Sequence, residues 1–272
     1  MHDTPIRVAV IVCAAGRSRR FAGGADLLID ARSKLDEDLG GRPVLQRAVE
    51  LFTTEPRVAS IIVAGPHDDD RYDAFMLRHG DRLGLLGATP CRGGAEHRYE
   101  TVAAALEHVP ADATHIAVHD AARPVTSTQL IERLLDAAER HPAVVPGTPV
   151  ADTLKRVGPA RDDDAGDPLA AILGDAAAKP TVQPIAETVD RSHLVSVQTP
   201  QIFESELLCR AYEQADLSST DDAQLVERLG EEVLVVPGDR MNIKITEQDD
   251  IRLARIIGKF PPPKDRPSLH KF

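Results

Sequence analysis

The segment that most constrains this chain runs from Ile6 to Lys34. An apolar run, Ile6-Arg7-Val8-Ala9-Val10-Ile11-Val12, gives way to Ala14-Ala15-Gly16 and then to Arg17-Ser18-Arg19-Arg20, with Lys34 on the same connection. Small residues at the end of a parallel strand let a ligand press against bare backbone, and cations just beyond them supply charge for an anion. Such a combination suits a nucleoside triphosphate received at the carboxyl edge of an α/β sheet. The same residues also suit an ordinary turn whose arginines face water. Two better-known phosphate loops are excluded: no Gly-Lys-Ser/Thr ending follows a strand, and a dinucleotide fingerprint would need glycines where Ser18 and Phe21 stand.

At 272 residues the chain can bury one large core, with or without an appendage. Its net charge of −11 argues against a broad nucleic-acid or anionic-membrane surface, so any anion site must be a local pocket of positive charge. Cys13, Cys91 and Cys209 are odd in number and scattered. They suggest neither a disulfide framework nor a zinc site, and a cytoplasmic location is expected. The early apolar run is short, little positive charge precedes it, and it reads as a first strand rather than a leader. No segment approaches the ~18 apolar residues that cross a bilayer.

Strand and helix patterns alternate along most of the chain. Val58 to Ala64 and Thr114 to Val118 read as buried strands; Val44 to Phe52, Tyr99 to His108 and Ser127 to Arg140 read as helices. The repetition predicts an α/β fold, a mostly parallel sheet with helices on both faces. It breaks between Pro149 and about Leu194, where Arg161 to Pro168 is polar and turn-rich and Asp175 to Pro180 is small-residue-rich. An arm leaving the sheet is expected there. From Pro261 the proline-rich tail cannot continue a helix and is expected to be poorly ordered.

Two further segments carry chemistry. Asp120-Ala121-Ala122-Arg123-Pro124 follows a predicted strand, so a carboxylate stands beside open backbone in the same crevice as the first loop. Asp120 suits Mg²⁺ or a sugar hydroxyl, and Arg123 suits a phosphate, although an N-cap with a salt bridge is the plainer alternative. His119, on the opposite face of the strand from Asp120, reads as structural. Asn242-Ile243-Lys244-Ile245-Thr246 reads as a short strand pointing Asn242, Lys244 and Thr246 the same way, with Thr246 and Asp249 capping a final helix. Lys244 is its candidate functional group. The acidic runs Asp68 to Asp70 and Asp162 to Asp164 read as solvated loops, and Ser219 to Asp222 as a helix N-terminus.

Taken in order, these segments resemble a known family. They are Ala14 to Arg20, Lys34, Gly40 to Leu45, Gly93-Gly94 with Arg98 to Val102, Asp120 to Pro124, Pro149 to Arg156, Thr188 to Arg191, Gln198 to Phe203, Thr220 to Ala223, and Asn242 to Thr246. Across nearly the whole chain the sequence is similar to the 2-C-methyl-D-erythritol 4-phosphate cytidylyltransferases of non-mevalonate isoprenoid synthesis. The resemblance implies a three-layer α/β/α, Rossmann-like nucleotidyltransferase fold with a mostly parallel twisted sheet and a protruding arm. A single domain over 1–260, an arm at about 149–193 and a tail over 261–272 follow from it. It implies a phosphate attacking the α-phosphorus of CTP with loss of pyrophosphate, with Mg²⁺ or another divalent cation as cofactor. Arg20, Lys34 and Lys244 would be the catalytic cations. Ala14, Ala15, Gly16, Gly94 and Thr101 would line the nucleotide pocket, and Asp120 would meet the metal. Arg123, Thr153, Arg191 and Thr199 would bind substrate, and the arm would complete a partner's site in a homodimer.

The sequence departs from that pattern in places. Ser18 stands where the family usually has a glycine, the loop from Arg20 to Lys34 is longer, and Lys34 is followed by the acidic Leu35-Asp36-Glu37. An extra residue lies between Gly94 and Arg98, Val195 replaces a common tryptophan, Met241 a frequent aspartate, and the arm carries an insertion around Asp162 to Pro184. Two alternatives therefore stay open: a cytidylyltransferase acting on ribitol 5-phosphate, and a non-catalytic nucleotide-binding homologue.

Overall fold

The computed structural model describes residues 5–16, 21, 33–162 and 181–261. The chain divides into two units, one formed by Met1–Thr148 with Val197–Phe272 and the other by Pro149–Ser196. In chain order the first unit opens with β1 (Val8–Cys13), a 3₁₀ turn (Lys34–Asp36), α1 (Val44–Glu50), β2 (Val58–Gly65) and α2 (Asp69–Leu85). There follow β3 (Ala88–Arg92), α3 (Arg98–Leu106), β4 (His115–Asp120), α4 (Thr128–Ala138) and β5 (Ala143–Pro149). The second unit carries β6 (Leu154–Val157), β7 (Arg161–Asp162), β8 (Thr181–Val182) and β9 (Ile185–Val189), and β10 (Val195–Val197) lies at its end. The chain then runs through β11 (Gln201–Glu204), α5 (Ser205–Tyr212), α6 (Asp222–Arg228), β12 (Leu234–Pro237) and α7 (Gln248–Ile257).

β1 lies at the centre of the main sheet. It pairs in parallel with β2 on one side and β4 on the other, and β3 continues the sheet beyond β2. On the other flank β11 runs antiparallel between β4 and β5, and β12 adds in parallel to β5. The valines, isoleucines and alanines of β1 are buried on both faces, as strands covered by helices on each side must be. Their period-two alternation sorts them into two cores. Val8, Val10 and Val12 face a cluster with Leu45, Phe75, Leu130, Leu134 and Ile251, from α1, α2, α4 and α7. Ala9 and Ile11 face the other, with Val102, Leu207, Leu208 and Leu225 from α3, α5 and α6. Three layers follow from that alternation, with helices above and below one sheet.

The helices α2, α4 and α6 begin at side-chain caps. Ser127 caps α4 by accepting from the Leu130 N–H (3.3 Å), and Leu130, Ile131, Leu134, Leu135 and Ala138 form its buried stripe. Asp68 caps α2 by accepting from the Arg71 N–H (3.2 Å), so the acidic run Asp68 to Asp70 is a helix start and not the solvated loop expected. Asp221 caps α6 by accepting from Gln224 N–H (3.1 Å).

One local expectation is corrected. Residues 242–246 form no strand. Their backbone donors serve turns and one cross-link instead: Asn242 to Asp239, Ile243 to Met241, and Ile245 to the Ala122 carbonyl. Simple alternation is lost, so Asn242 and Ile245 are buried while Lys244 stays accessible. The α7 cap also lies one residue later than expected. Glu247 is the N-cap, and Asp250, not Asp249, accepts from the N–H groups of Thr246 (2.7 Å) and Glu247 (2.8 Å).

The second unit is an antiparallel ribbon. β6 pairs with β9 in the register Leu154 with Val189 and Lys155 with Thr188, and β7 pairs with β8. Arg156 and Glu187 form a cross-strand ion pair at 2.6 Å. The inserted residues 163–180, the loop holding Arg20, and the tail from 262 lie outside the described residues.

Asn242 is the main tie between the Lys244 segment and the sheet edge. Its amide donates to the Thr199 carbonyl (2.9 Å) and accepts from the Thr126 hydroxyl (2.9 Å), while its own carbonyl accepts from Arg123 (2.6 Å). Asn242→Ala is expected to lower unfolding free energy by about 1–3 kcal/mol, because buried partners lose their hydrogen bonds. Urea denaturation would check this, and a change within about 0.5 kcal/mol would remove Asn242 from that role.

Candidate active site

The parallel strands of the first unit end together. Cys13 and Asp120 are paired residues at the carboxyl ends of β1 and β4, and Ala14 N–H donates to Ala64 at the end of β2 (2.8 Å). A cavity of about 530 Å³ opens at this edge. Ala14, Ala15 and Gly16 form one wall, Gly94 and Thr101 another, and Lys34, Asp120 and Lys244 line it as well.

Backbone exposure here has a steric cause. A side chain at Gly94 would put its Cβ 2.2 Å from the Glu100 Cβ and 2.7 Å from the Thr101 backbone nitrogen, so only glycine fits. Gly94 N–H donates to the Thr101 hydroxyl (3.1 Å), and Glu100 accepts from the Glu96 and His97 amides (2.9 and 3.1 Å). At Gly16 the space beside the backbone is open, with nothing within 4 Å. Ala14 and Ala15 add no more than a methyl group each, so little side chain covers this wall.

The charges converge on Asp120. Its carboxylate meets Lys244 Nζ at 2.7 Å, Arg98 Nε at 3.1 Å and Arg123 Nε at 4.0 Å. Burial alone would raise its pKa, but the cations of Arg98, Lys244 and Arg123 reverse that and hold it well below the usual carboxylate range. Arg98 continues the chain of charge away from the cavity. Its Nη1 lies 2.7 Å from the carboxylate of Asp222, which is fully buried, and Tyr212 donates its hydroxyl to Asp222 at 2.6 Å. Burial opposes the charge of Arg98, but Asp222 and Asp120 more than compensate and raise its pKa well above the ordinary value. Cys13 also faces the cavity, and burial pushes its thiol up to about 12, so it stays protonated.

Lys34 reaches the cavity from the 3₁₀ turn, and its Nζ donates to the Ile245 carbonyl at 2.8 Å. Lys34 and Lys244 thus both line the cavity, with Lys244 paired to Asp120. Among the described residues there is no group of 3 or more His, Cys, Asp or Glu side chains arranged to hold a metal ion. His119 lies outside this ensemble. Its ring is fully buried, edge-on to Phe52, with Nε2 3.2 Å from the Arg123 carbonyl. Burial pushes it down to about 4, so it is neutral at ordinary pH.

Of the residues singled out from sequence, Ala14, Ala15, Gly16, Lys34, Gly94, Thr101, Asp120 and Lys244 meet around this cavity. Arg20 lies outside the described residues. Arg123 and Thr199 stand behind the wall: Arg123 holds the Asn242 carbonyl, and the Thr199 hydroxyl accepts the Asp120 N–H at 3.0 Å. Thr153 and Arg191 belong to the second unit, where both are exposed and Arg191 donates to the Ala151 carbonyl. Sequence reasoning missed the Arg98–Asp222 pair. Arg98 sat in a recognised segment without a role, and Asp222 read as a helix-dipole acid, because nothing local marks their partnership.

The match to known proteins covers both units. The family profile described as 2-C-methyl-D-erythritol 4-phosphate cytidylyltransferase matches residues 8–163 and 159–259. A protein of that name from Symbiobacterium thermophilum is 37% identical over 255 residues, covering 93% of each chain. One from Frankia casuarinae is 36% identical over 260 residues, covering 94% of this chain and 84% of its own. The crystal structure of the enzyme of that name from Thermus thermophilus superimposes with a TM-score of 0.67 at 31% identity, over 93% of this chain and 100% of that one. With the cavity at the carboxyl edge of a matching fold, the chain belongs to the 2-C-methyl-D-erythritol 4-phosphate cytidylyltransferase family.

Proposed function

We propose that this protein transfers a cytidylyl group from CTP to 2-C-methyl-D-erythritol 4-phosphate, giving 4-diphosphocytidyl-2-C-methyl-D-erythritol and pyrophosphate. The observation that carries the reading is the cavity itself: bare backbone from Ala14 to Gly16 on one side, with Lys34, Lys244 and Asp120 on the other. A nucleoside can lie against that backbone while its phosphates reach the lysines.

An oxygen of the acceptor's phosphate attacks the α-phosphorus of CTP. A new P–O bond forms, the bond from the α-phosphorus to the bridging oxygen breaks, and pyrophosphate leaves with that electron pair. The nucleophile is already ionised, so no strong base is required. The difficulty is to bring two anions together and stabilise the added charge at phosphorus, which positioned cations do. Lys34 and Lys244 take that part here, with Arg20 as the third cation. Arg98 keeps Asp120 neutralised when Lys244 turns toward phosphate. Arg123 and Thr199 hold Asp120 and the Lys244 segment in place.

In our reading a magnesium ion arriving with the triphosphate would meet Asp120 once Lys244 turns toward phosphate, since Asp120 is the carboxylate that Lys244 holds at the cavity. Bound there, it would polarise phosphoryl oxygens and offset their charge. In our reading the second unit is the arm that completes a partner's site in a homodimer, with Thr153 and Arg191 meeting the acceptor. The protein acts in the cytoplasm, a reading supported by its scattered free cysteines.

Pyrophosphate release by the purified protein with CTP and Mg²⁺ tests the reading. Release with 2-C-methyl-D-erythritol 4-phosphate and not with ribitol 5-phosphate is the expected result; the reverse pattern would move the protein to the ribitol activity. In the same assay Lys34→Ala is expected to lower turnover by on the order of 10²-fold or more, as for loss of a transition-state donor. Near-native turnover would take Lys34 out of the mechanism. Arg191→Ala is expected to raise KM for the acceptor far more than for CTP. An equal rise in both would sink its assignment to the acceptor phosphate.

A further inference from the structure

The acidic residue two positions after Lys34 turns toward α2. Asp36 ends the 3₁₀ turn that starts at Lys34, and its carboxylate is mostly buried. One oxygen accepts from the Ser33 N–H at 2.7 Å, while the Ser33 hydroxyl accepts from Leu35 N–H at 3.1 Å; together they close a capping box around the turn. The other oxygen lies 2.7 Å from Nε2 of His79 and 3.5 Å from Nε of Arg78, both on α2. His79 is 4% exposed and packs against Phe75, with ring centroids 5.1 Å apart. Phe75 in turn fills the space beside Gly65 at the end of β2. Leu35, between Lys34 and Asp36, is buried in the same core.

We infer that Asp36 and His79 are positioning residues for Lys34, anchoring the turn that presents its ammonium group to the triphosphate. The inference rests on the reading of Lys34 given above. A lysine carries its charge on a flexible four-carbon stem, and only a fixed backbone lets that charge meet a developing anion in one place. A three-residue turn has too few hydrogen bonds of its own to stay fixed. Here a buried carboxylate joins it to a seventeen-residue helix, and through Phe75 to the central sheet. A short turn thereby acquires the rigidity of the core. Asp36 is thus a brace for the cation, and it is not among the residues that line the cavity.

The test is steady-state pyrophosphate release with CTP and 2-C-methyl-D-erythritol 4-phosphate, with thermal unfolding of each variant alongside. Asp36→Asn should lower kcat about tenfold, since a small displacement of a catalytic group has effects of that size or larger. KM for the acceptor should stay within about twofold, because only the donor-side cation has moved. His79→Gln retains an N–H donor directed at Asp36 and should recover most of the turnover lost in His79→Ala. In a Lys34→Ala background Asp36→Asn should have no further effect on kcat. Parental kcat in Asp36→Asn would overturn the inference, and so would an undiminished loss in the Lys34→Ala background. If Lys34→Ala itself keeps parental turnover, the reading of Lys34 falls and takes this inference with it. A loss in Lys34→Ala with additive behaviour of Asp36→Asn overturns the brace alone. Should Asp36→Asn not fold, the comparison of His79→Gln with His79→Ala decides the matter with Asp36 intact.

Discussion

Two buried carboxylates share one guanidinium, and the working edge of the sheet is organised around that sharing. Arg98 lies between Asp120 at the end of β4 and Asp222 at the start of α6. A buried ion pair is costly to form and far more costly to break, since removing one member leaves the other charged and unsolvated. The three elements that bring these residues together, β4, α3 and α6, are therefore held to one geometry. Because Arg98 is committed from behind, Asp120 can be both a neutralised part of the wall and a contact for Lys244 in front.

The sheet was legible because its signal is local and redundant. Each buried strand is a short run of valine, isoleucine and alanine, and the amphipathic stripe of α4 is plain in the spacing of Leu130, Ile131, Leu134 and Leu135. At the strand ends the small residues Ala14, Ala15 and Gly16 do line the cavity, while the cations Arg17 to Arg20 lie outside the described residues. Residues 242–246 were misread as a strand because alternation in sequence does not say whether a neighbouring strand exists to pair with. What holds them is Asn242 reaching Thr199 and Thr126, contacts between segments distant in sequence. The same distance hid Arg98 and Asp222 from each other. Asp36 looked like misplaced negative charge for want of knowing that His79 lies behind it.

The two units differ in what stabilises them. The first has apolar cores on both faces of its sheet. Among its described residues the second rests on backbone ladders, with Arg156 and Glu187 paired in the open and Val157 and Ile185 exposed. A two-stranded ribbon is at best marginally stable by itself. The ribbon therefore keeps its form with little help from burial, and ion pairs on such a surface contribute little.

The glycine at position 94 sets a limit on how the cavity could diversify. No side chain can be accommodated there without pushing into Glu100 and the Thr101 backbone. That wall is therefore closed to the commonest route by which binding sites change, the enlargement or shrinking of a side chain. Variation in what the cavity accepts has to come from other lining positions, such as the exposed side chains of Glu96 and His97. A lineage carrying this fold inherits that point of its pocket as fixed architecture and the exposed side chains around it as the material for change.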